Sequence, residues 1–490
     1  MLLPYRYPDV DFDWYNGIPL YRFEPESASV PGVSALPNAA EILVDHVLSL
    51  CWADLPVRTR TMAATFLHDS LCVGVAGARA AHADDVLKAA RLWGEPGADG
   101  GGRVLGRPGL RLPAPNAAFV NAFQIHSQEF DCVHEPAVVH PLATVASALL
   151  AEADRSGPYD GERLLTALVA GVDIAAGLGV AVTTPLKFFR PATAGIFGCV
   201  AAIASLRALS RDVTLNAFGY ALAYASGTMQ AHVEGKPTLP LQIAGAARSA
   251  LQAIDLAMAG LPGPIGSIDG PFGYLSLFET GYDIDRLLDG LKGRHRIEEV
   301  SWKPFPTGRA AHGAIVATQM LMREHGVNAI NLKKLTYRAP PLIARLVGRP
   351  AKTEMAPAYA RLCFAYLGGV VLSRGTVGLA DFGPERLNDP DIADIARRIV
   401  VEDDGNPDPA AFVPARAIAT LVDGSKVSVD VTAQFGAPSW PLSQMEHLEK
   451  ASRCLEFGGA GGQHEAVAML FDRLAHGKDA AGAIWAALEG

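Results

Sequence analysis

NAFQIHSQEFDCVHEPAVVHP, residues 121–141, decides how this chain is read. It gathers three histidines (His126, His134, His140) and three carboxylates (Glu129, Asp131, Glu135) into otherwise apolar surroundings. Charged side chains are seldom buried without a partner or a task. Imidazoles beside carboxylates are also the usual means of moving protons near neutral pH. The stretch reads as a mobile loop at a helix end, carrying acid–base groups into a pocket. An alanine-rich helix follows it at once.

Outward from this loop, residues 115–260 are dominated by Ala, Gly, Leu and Val. Helices are expected at 117–129, 142–153, 161–181, 191–207, 213–231 and 241–260. Small residues let helices approach closely, which implies a compact bundle. Upstream, Ile42, Leu43, His46, Val47 and Leu50 share one helical stripe. Pro56 suits the start of a second, mostly buried helix over 61–75. Residues 1–38 are rich in Pro, Tyr and Phe without a period, and read as an extended arm. The glycines of 94–109 do not fit GxGxxG, and no GKS or GKT occurs, so this loop is expected to be a surface connection rather than a nucleotide fingerprint.

After Leu261 the character changes. Strand-like runs occur at 333–340, 416–424 and 426–435, with Asp423-Gly424 as a hairpin signal between the last two. Helices near 307–325, 356–373 and 390–399 interleave with them. The expected fold is mainly α: a large all-helical domain (39–274), a smaller α+β lid domain (275–435) and C-terminal helices (436–490) returning to the first. A chain of 490 residues is long enough for two cores.

Half the residues are hydrophobic, and the net charge of -9 argues against general nucleic-acid binding. A local basic pocket for a small anion is still compatible with that sign. The six cysteines are scattered without a CxxC, which leaves no zinc-ribbon or iron–sulfur pattern and suits reduced thiols. The opening MLLPYRYPDVDFDWY lacks the parts of a signal peptide. The uncharged run 213–233 holds Asn216, Ser226, Gln230 and His232, so a buried helix is expected there rather than a membrane span. The expectation is a cytoplasmic protein.

Several stretches, in order, resemble the MmgE/PrpD family. They are ILVDHVLSLCWADLP (42–56), FLHDSLCVGVAGA (66–78), NAFQIHSQEFD with His140-Pro141, LQIAGAARSALQAIDLAMAGLPGP (241–264), DGPFGYLSLF (269–278), KPFPTGRAAH (303–312), and PLS (441–443). The resemblance spans about residues 39–455. It implies a helical domain with an α+β lid, a cleft active site, commonly a homodimer, and no metal or organic cofactor. It also implies chemistry on small carboxylates: 2-methylcitrate dehydration, cis-aconitate decarboxylation or iminodisuccinate epimerisation. Each handles negative charge on a carbon beside a carboxylate, which calls for a base, an acid and cations.

The resemblance assigns site residues. His140 is the first choice for acid–base catalyst, with Asp131 and Glu129 to orient it or to contact substrate. Cys132 and Val133 depart from the family, and one extra residue separates Asp131 from His140. Arg190, in FFRPATAG, stands where family decarboxylases carry histidine, and suits carboxylate binding. Lys236, three residues early, and Gln242, in place of a family histidine, are expected to contact substrate, with an ordinary solvated lysine as the other reading of Lys236. Lys303 and Arg309 are expected to clamp a carboxylate, while Gly308 takes the decarboxylase's histidine position. His312 is either a second acid or an interior residue. His126 is expected as a satisfied interior histidine, and Gly270, Gly273 and Tyr274 as a structural turn. The expected activity is a hydro-lyase on a di- or tricarboxylate resembling 2-methylcitrate. The alternatives are an epimerase using groups such as His140 and His312, a decarboxylase, and a non-catalytic binder.

Overall fold

The computed structural model describes residues 11–13, 18–20, 38–97, 100–408 and 411–490. In the first unit, Asp11–Asp13 pairs antiparallel with Ile18–Leu20. The rest of the expected N-terminal arm lies outside the described residues.

From Asn38 onward the described chain is mainly α-helical. The first helix, Ala39–Ser49, begins in a capping box between Asn38 and Glu41, which satisfies two otherwise orphaned N–H groups. Its buried face is Leu43, Val44 and Val47. The expected stripe is therefore rotated, and His46 instead reaches Asp173 at 3.1 Å. The helices Val57–Gly77, Ala114–His126, Pro141–Ser156, Gly161–Val180, Gly195–Arg207 and Thr238–Met258 supply much of one hydrophobic core. Helices also come close where two glycines face each other. A Cβ on Gly171 would stand 2.7 Å from Gly198 O, and one on Gly198 would stand 2.6 Å from Gly171 O. Gly161–Val180 has the length and apolarity of a membrane span, yet 89% of its apolar window is buried, as for a core helix. The C-terminal helices Gln444–Gly458, His464–Phe471 and Ala480–Glu489 pack Cys454, Leu455, Phe471 and Trp485 into this same core.

Two sequence expectations need correction here. The helix expected over 213–231 is Arg211–Tyr224, followed by a break and the short Gln230–Glu234. Gly227 in the break has φ 143°, a conformation that only glycine adopts easily. The glycine-rich loop is also more than a surface connection. Leu105 is buried, its N–H donating to Asn121 Oδ1 and its carbonyl accepting from Gln124 Nε2.

A second hydrophobic core forms around a four-stranded sheet. Its order is Ile399–Asp403, Leu332–Ala339, Ala415–Leu421, Lys426–Val431, with the first pair parallel and the others antiparallel. A register shift between Leu332 and Lys334 explains why Leu332 and Leu335, three residues apart, are both buried. The Asp423-Gly424 hairpin forms with Gly424 at φ 88°. Ile399–Asp403 went unforeseen: the expected helix over 390–399 stops at Ala396, and the β-branched run Ile399, Val400, Val401 becomes a strand. The helices His312–His325 and Phe364–Arg374 contribute to the second core.

Gly171→Val forces side-chain atoms into the Gly171–Gly198 contact. The expected cost is about 1–3 kcal/mol, read as a lower melting temperature, while Ala170→Val one position along should follow a different, packing-dependent value.

Candidate active site

Helix Ala114–His126 ends at the first imidazole of the key stretch, and helix Pro141–Ser156 begins with His140 as its N-cap. The intervening loop was expected to be mobile; instead it is pinned along its length. Gln128 O accepts from Arg361 Nη1 at 2.7 Å, and Glu129 Oε2 accepts from Lys303 Nζ at 2.7 Å. Phe130 O accepts from Lys450 Nζ at 2.9 Å, and Glu135 Oε1 accepts from Arg309 Nε at 2.7 Å. Ala137 O accepts from Arg190 Nη1 at 2.9 Å. His134 pairs with Glu299 at 2.9 Å, and Val133 forms a bridge with Ser301. A buried irregular segment must find partners for its polar groups, and here distant side chains supply them. Glu129 holds the left-handed conformation at φ 51°, uncommon for a side chain of its size, and the Lys303 contact fixes it there.

At the loop's centre Asp131 is 0% exposed. Its Oδ2 accepts from His140 Nδ1 at 2.9 Å and from His126 Nδ1 at 3.1 Å. Lys303 Nζ stands 3.9 Å from Oδ1. The two rings meet edge to face with centroids 4.6 Å apart. An ionised carboxylate only accepts, so both Nδ1 atoms carry protons. Burial raises the Asp131 carboxyl, but His140, His126 and Lys303 outweigh it and hold it well below its usual range. Burial likewise opposes Glu129, yet Lys303 and the imidazoles bring it down to about 2.

The two imidazoles diverge. Burial lowers His126, but the Asp131 charge and hydrogen bond, with Glu129, more than offset it, so its pKa is raised. Burial also lowers His140, and Asp131 does not make up the loss against Lys303 and His126, so its pKa is lowered. The charges close on this assignment: two carboxylates balance the Lys303 ammonium and one imidazolium. The shifts run in opposite directions, so His126 Nε2 holds its proton more firmly than His140 Nε2 does. Among the described residues His126 Nε2 is buried without a protein partner, and the His140 side chain keeps 14% of its surface. His126, Asp131 and His140 also have donor atoms within 4.8 Å of one another, close enough for a metal ion. An ammonium beside the carboxylate opposes that use of the cluster, because a dication there would meet Lys303.

A cavity of about 110 Å³ opens beside this cluster, lined among others by His126, Glu129, His232, Lys236, Arg361 and Leu362. Burial lowers the pKa of His232. A larger cavity, about 510 Å³, has a different lining that includes Trp52, His68 and His447, and touches none of the acid–base cluster.

The structure therefore brings together His140, Asp131, Glu129 and Lys303, with Lys236 exposed on the cavity wall. Other candidates land elsewhere. Arg190, expected to hold substrate, is buried and bidentate to Glu279 at 2.8 and 3.2 Å, besides bonding Ala137 O. Arg309 spends its charge on Glu135 and donates to Phe435 O. Both fasten the loop rather than face the cavity. His312 donates from Nε2 to Thr307 O and accepts from Arg309 at Nδ1, so neither nitrogen is available. Burial and the Arg309 charge hold its pKa well below the ordinary value. Gln242 closes both backbone groups of Thr228, stabilising the turn after Tyr224. Tyr274 is buried, its hydroxyl 3.2 Å from Thr193 Oγ1. Cys132 is buried as a neutral thiol.

Two residues were undervalued or missed. His126 sits five residues before Asp131, a helix-end spacing that reveals the pair only once the loop folds back. Arg361 lies in AYARLCFAY, where a lone cation gives no signal of its own.

Family models fit this arrangement along nearly its full length. That of the MmgE/PrpD N-terminal domain matches residues 41–287, and that of the C-terminal domain matches residues 305–472. The chain belongs to the MmgE/PrpD family. Among its relatives is the cis-aconitate decarboxylase of Mus musculus, 28% identical over 364 residues, covering 71% of this chain and 73% of that protein. That of Homo sapiens is 28% identical over 363 residues, covering 71% and 74%. Within this MmgE/PrpD chain, Gly308 is closely packed. A Cβ there would stand 2.2 Å from Leu362 Cδ2, so Leu362 fills the space that a side chain at 308 needs.

Removing the Lys303 ammonium leaves one buried carboxylate, Asp131, and one part-buried, Glu129, short of a counter-charge. Lys303→Met is expected to cost about 3–5 kcal/mol at neutral pH by chemical denaturation. Glu129 has a folded pKa of about 2 against an ordinary 4.5, so its stabilisation is fully present above pH 4.5 and lost as pH falls towards 2. Glu129→Gln should flatten the stability profile across that window.

Proposed function

We propose that this chain is a lyase acting on a small di- or tricarboxylate, and that its reaction is a dehydration of the 2-methylcitrate type. The observation that carries the reading is the pair of imidazoles on one buried carboxylate, with pKa values pushed in opposite directions, beside a cavity with cationic walls. Elimination of water needs both forms at once. His140 Nε2 takes the proton from the carbon beside a carboxylate. The electron pair forms the carbon–carbon double bond, and the β-hydroxyl leaves as water with the proton of His126 Nε2. Asp131 holds both rings in the required tautomers and stabilises whichever is charged. Lys303 keeps Asp131 and Glu129 ionised throughout.

Epimerisation fits less well. It needs proton-transfer groups on opposite faces of one carbon, whereas His126 and His140 hang from the same carboxylate, and His312 is fully engaged. Decarboxylation is the second reading, favoured by what the two mammalian relatives are named for. The Leu362 side chain packed over Gly308 argues against an identical pocket. Ligand binding without turnover is the remaining alternative.

Incubating the purified protein in deuterated water with citrate-like hydroxy acids tests the class. Dehydration gives an unsaturated acid without gas, decarboxylation releases carbon dioxide, and absence of both together with no α-hydrogen exchange defeats the lyase reading. His140→Ala should lower turnover roughly 10²–10⁴-fold while the melting temperature holds.

The pH profile follows from the two imidazoles. His140 must be deprotonated and lies below 6.5, which sets the acidic limb; His126 must be protonated and lies above 6.5, which sets the alkaline limb. Asp131→Asn removes the main influence raising His126, so the alkaline limb should move to lower pH.

A further inference from the structure

Four arginines are buried among the described residues: Arg190, Arg296, Arg309 and Arg361. Arg190 pairs with Glu279, Arg296 with Glu299, and Arg309 with Glu135. Arg361 is 5% exposed and has no carboxylate at ion-pair distance among the described residues. Glu129, on the same cavity wall, is already held by Lys303.

The Arg361 guanidinium is nevertheless firmly oriented. Nη1 donates to Gln128 O at 2.7 Å and to Pro306 O at 2.6 Å, and the planar group lies over Phe382, 3.9 Å from the ring centroid. Both carbonyls are met at Nη1. The Nε and Nη2 groups have no protein acceptor among the described residues, and together they form the edge that matches a carboxylate with two parallel hydrogen bonds. Burial pushes its pKa down to about 9, and the Glu129 charge across the cavity offsets only part of that. A buried cation lacking its anion is expensive. A fold that fixes the plane of such a group beside an acid–base cluster leaves the anion to be supplied by a ligand.

Lys236 offers a second point of attachment. It lines the same cavity, is exposed, and forms no ion pair among the described residues. Gly235, at φ 65°, ends helix Gln230–Glu234 and turns the chain into the lysine.

We propose that Arg361 is the specificity-determining residue of the site, gripping one substrate carboxylate in depth through its Nε/Nη2 edge, while Lys236 receives a second carboxylate at the mouth. The ligand class is an acid with at least two carboxylates. This rests on the cavity beside His126 being the substrate site of the proposed lyase, but it concerns binding and can be read without turnover.

The probes are three unreactive acids, tricarballylate, glutarate and butyrate, titrated calorimetrically into the full-length protein. Wild type should bind the first two and hold butyrate at least about tenfold more weakly. Arg361→Met should weaken tricarballylate at least about 30-fold, and Arg361→Lys, which keeps the charge but loses the fork, by an intermediate factor. Lys236→Met should weaken the two polyacids about three- to tenfold and leave butyrate unchanged. Wild-type affinity in both Arg361 variants, or no binding of any acid to wild type, overturns the proposal; equal affinities in Lys236→Met overturn the second subsite. Should Arg361→Met lose its cooperative melting transition, the lysine variant decides alone. His140→Ala separates the two ideas. Normal binding by that variant, with no turnover even in wild type, removes the lyase and keeps the Arg361 assignment. Turnover in wild type with an unchanged KM in Arg361→Lys removes the assignment and keeps the lyase.

Discussion

A carboxylate with no access to water holds this site together. Asp131 is ionised inside the protein because two imidazole N–H groups and an ammonium surround it. Each of those groups comes from a different place: the end of one helix, the cap of the next, and the segment leading into the second core. Desolvating a lone carboxylate costs several kcal/mol, so the anion is tolerable only when all three are in position. The acid–base cluster and the approach of these segments are therefore one condition, met together.

The loop around Asp131 extends the same logic. Five cationic side chains (Arg190, Lys303, Arg309, Arg361 and Lys450) each take a carbonyl or carboxylate from residues 128–137. Such contacts restrain an irregular segment between two helices, and together with the helix that His140 caps they place that ring against Asp131. Four of the five are also paired with a carboxylate: Lys303 with Glu129 and Arg309 with Glu135 inside the loop, Arg190 with Glu279 and Lys450 with Asp69 outside it. This is why a basic side chain near the site is weak grounds for assigning it to a substrate, and why the exception, Arg361, carries more information than the rule.

Much of this was legible beforehand, for identifiable reasons. Helical periods, small residues and the ordered landmarks pointed to a mainly α chain of the MmgE/PrpD family, and the crowding of His and Asp between 126 and 140 pointed to the cluster. The pairing of charges was not legible. Glu279 lies 89 residues from Arg190 and Glu135 lies 174 from Arg309, so nothing local marks either arginine as spent. His126 looked like an interior residue because helix spacing says nothing of a loop that doubles back. The strand Ile399–Asp403 escaped because a helical pattern runs directly into it.

The contact between Gly308 and Leu362 bears on how such a pocket diversifies. The two positions compete for one volume, so a larger residue at 308 requires the Leu362 side chain to turn aside or a smaller residue at 362. Changes at these two sites are consequently coupled: the shape of the pocket wall that a substitution at 308 produces depends on which way the side chain at 362 has turned.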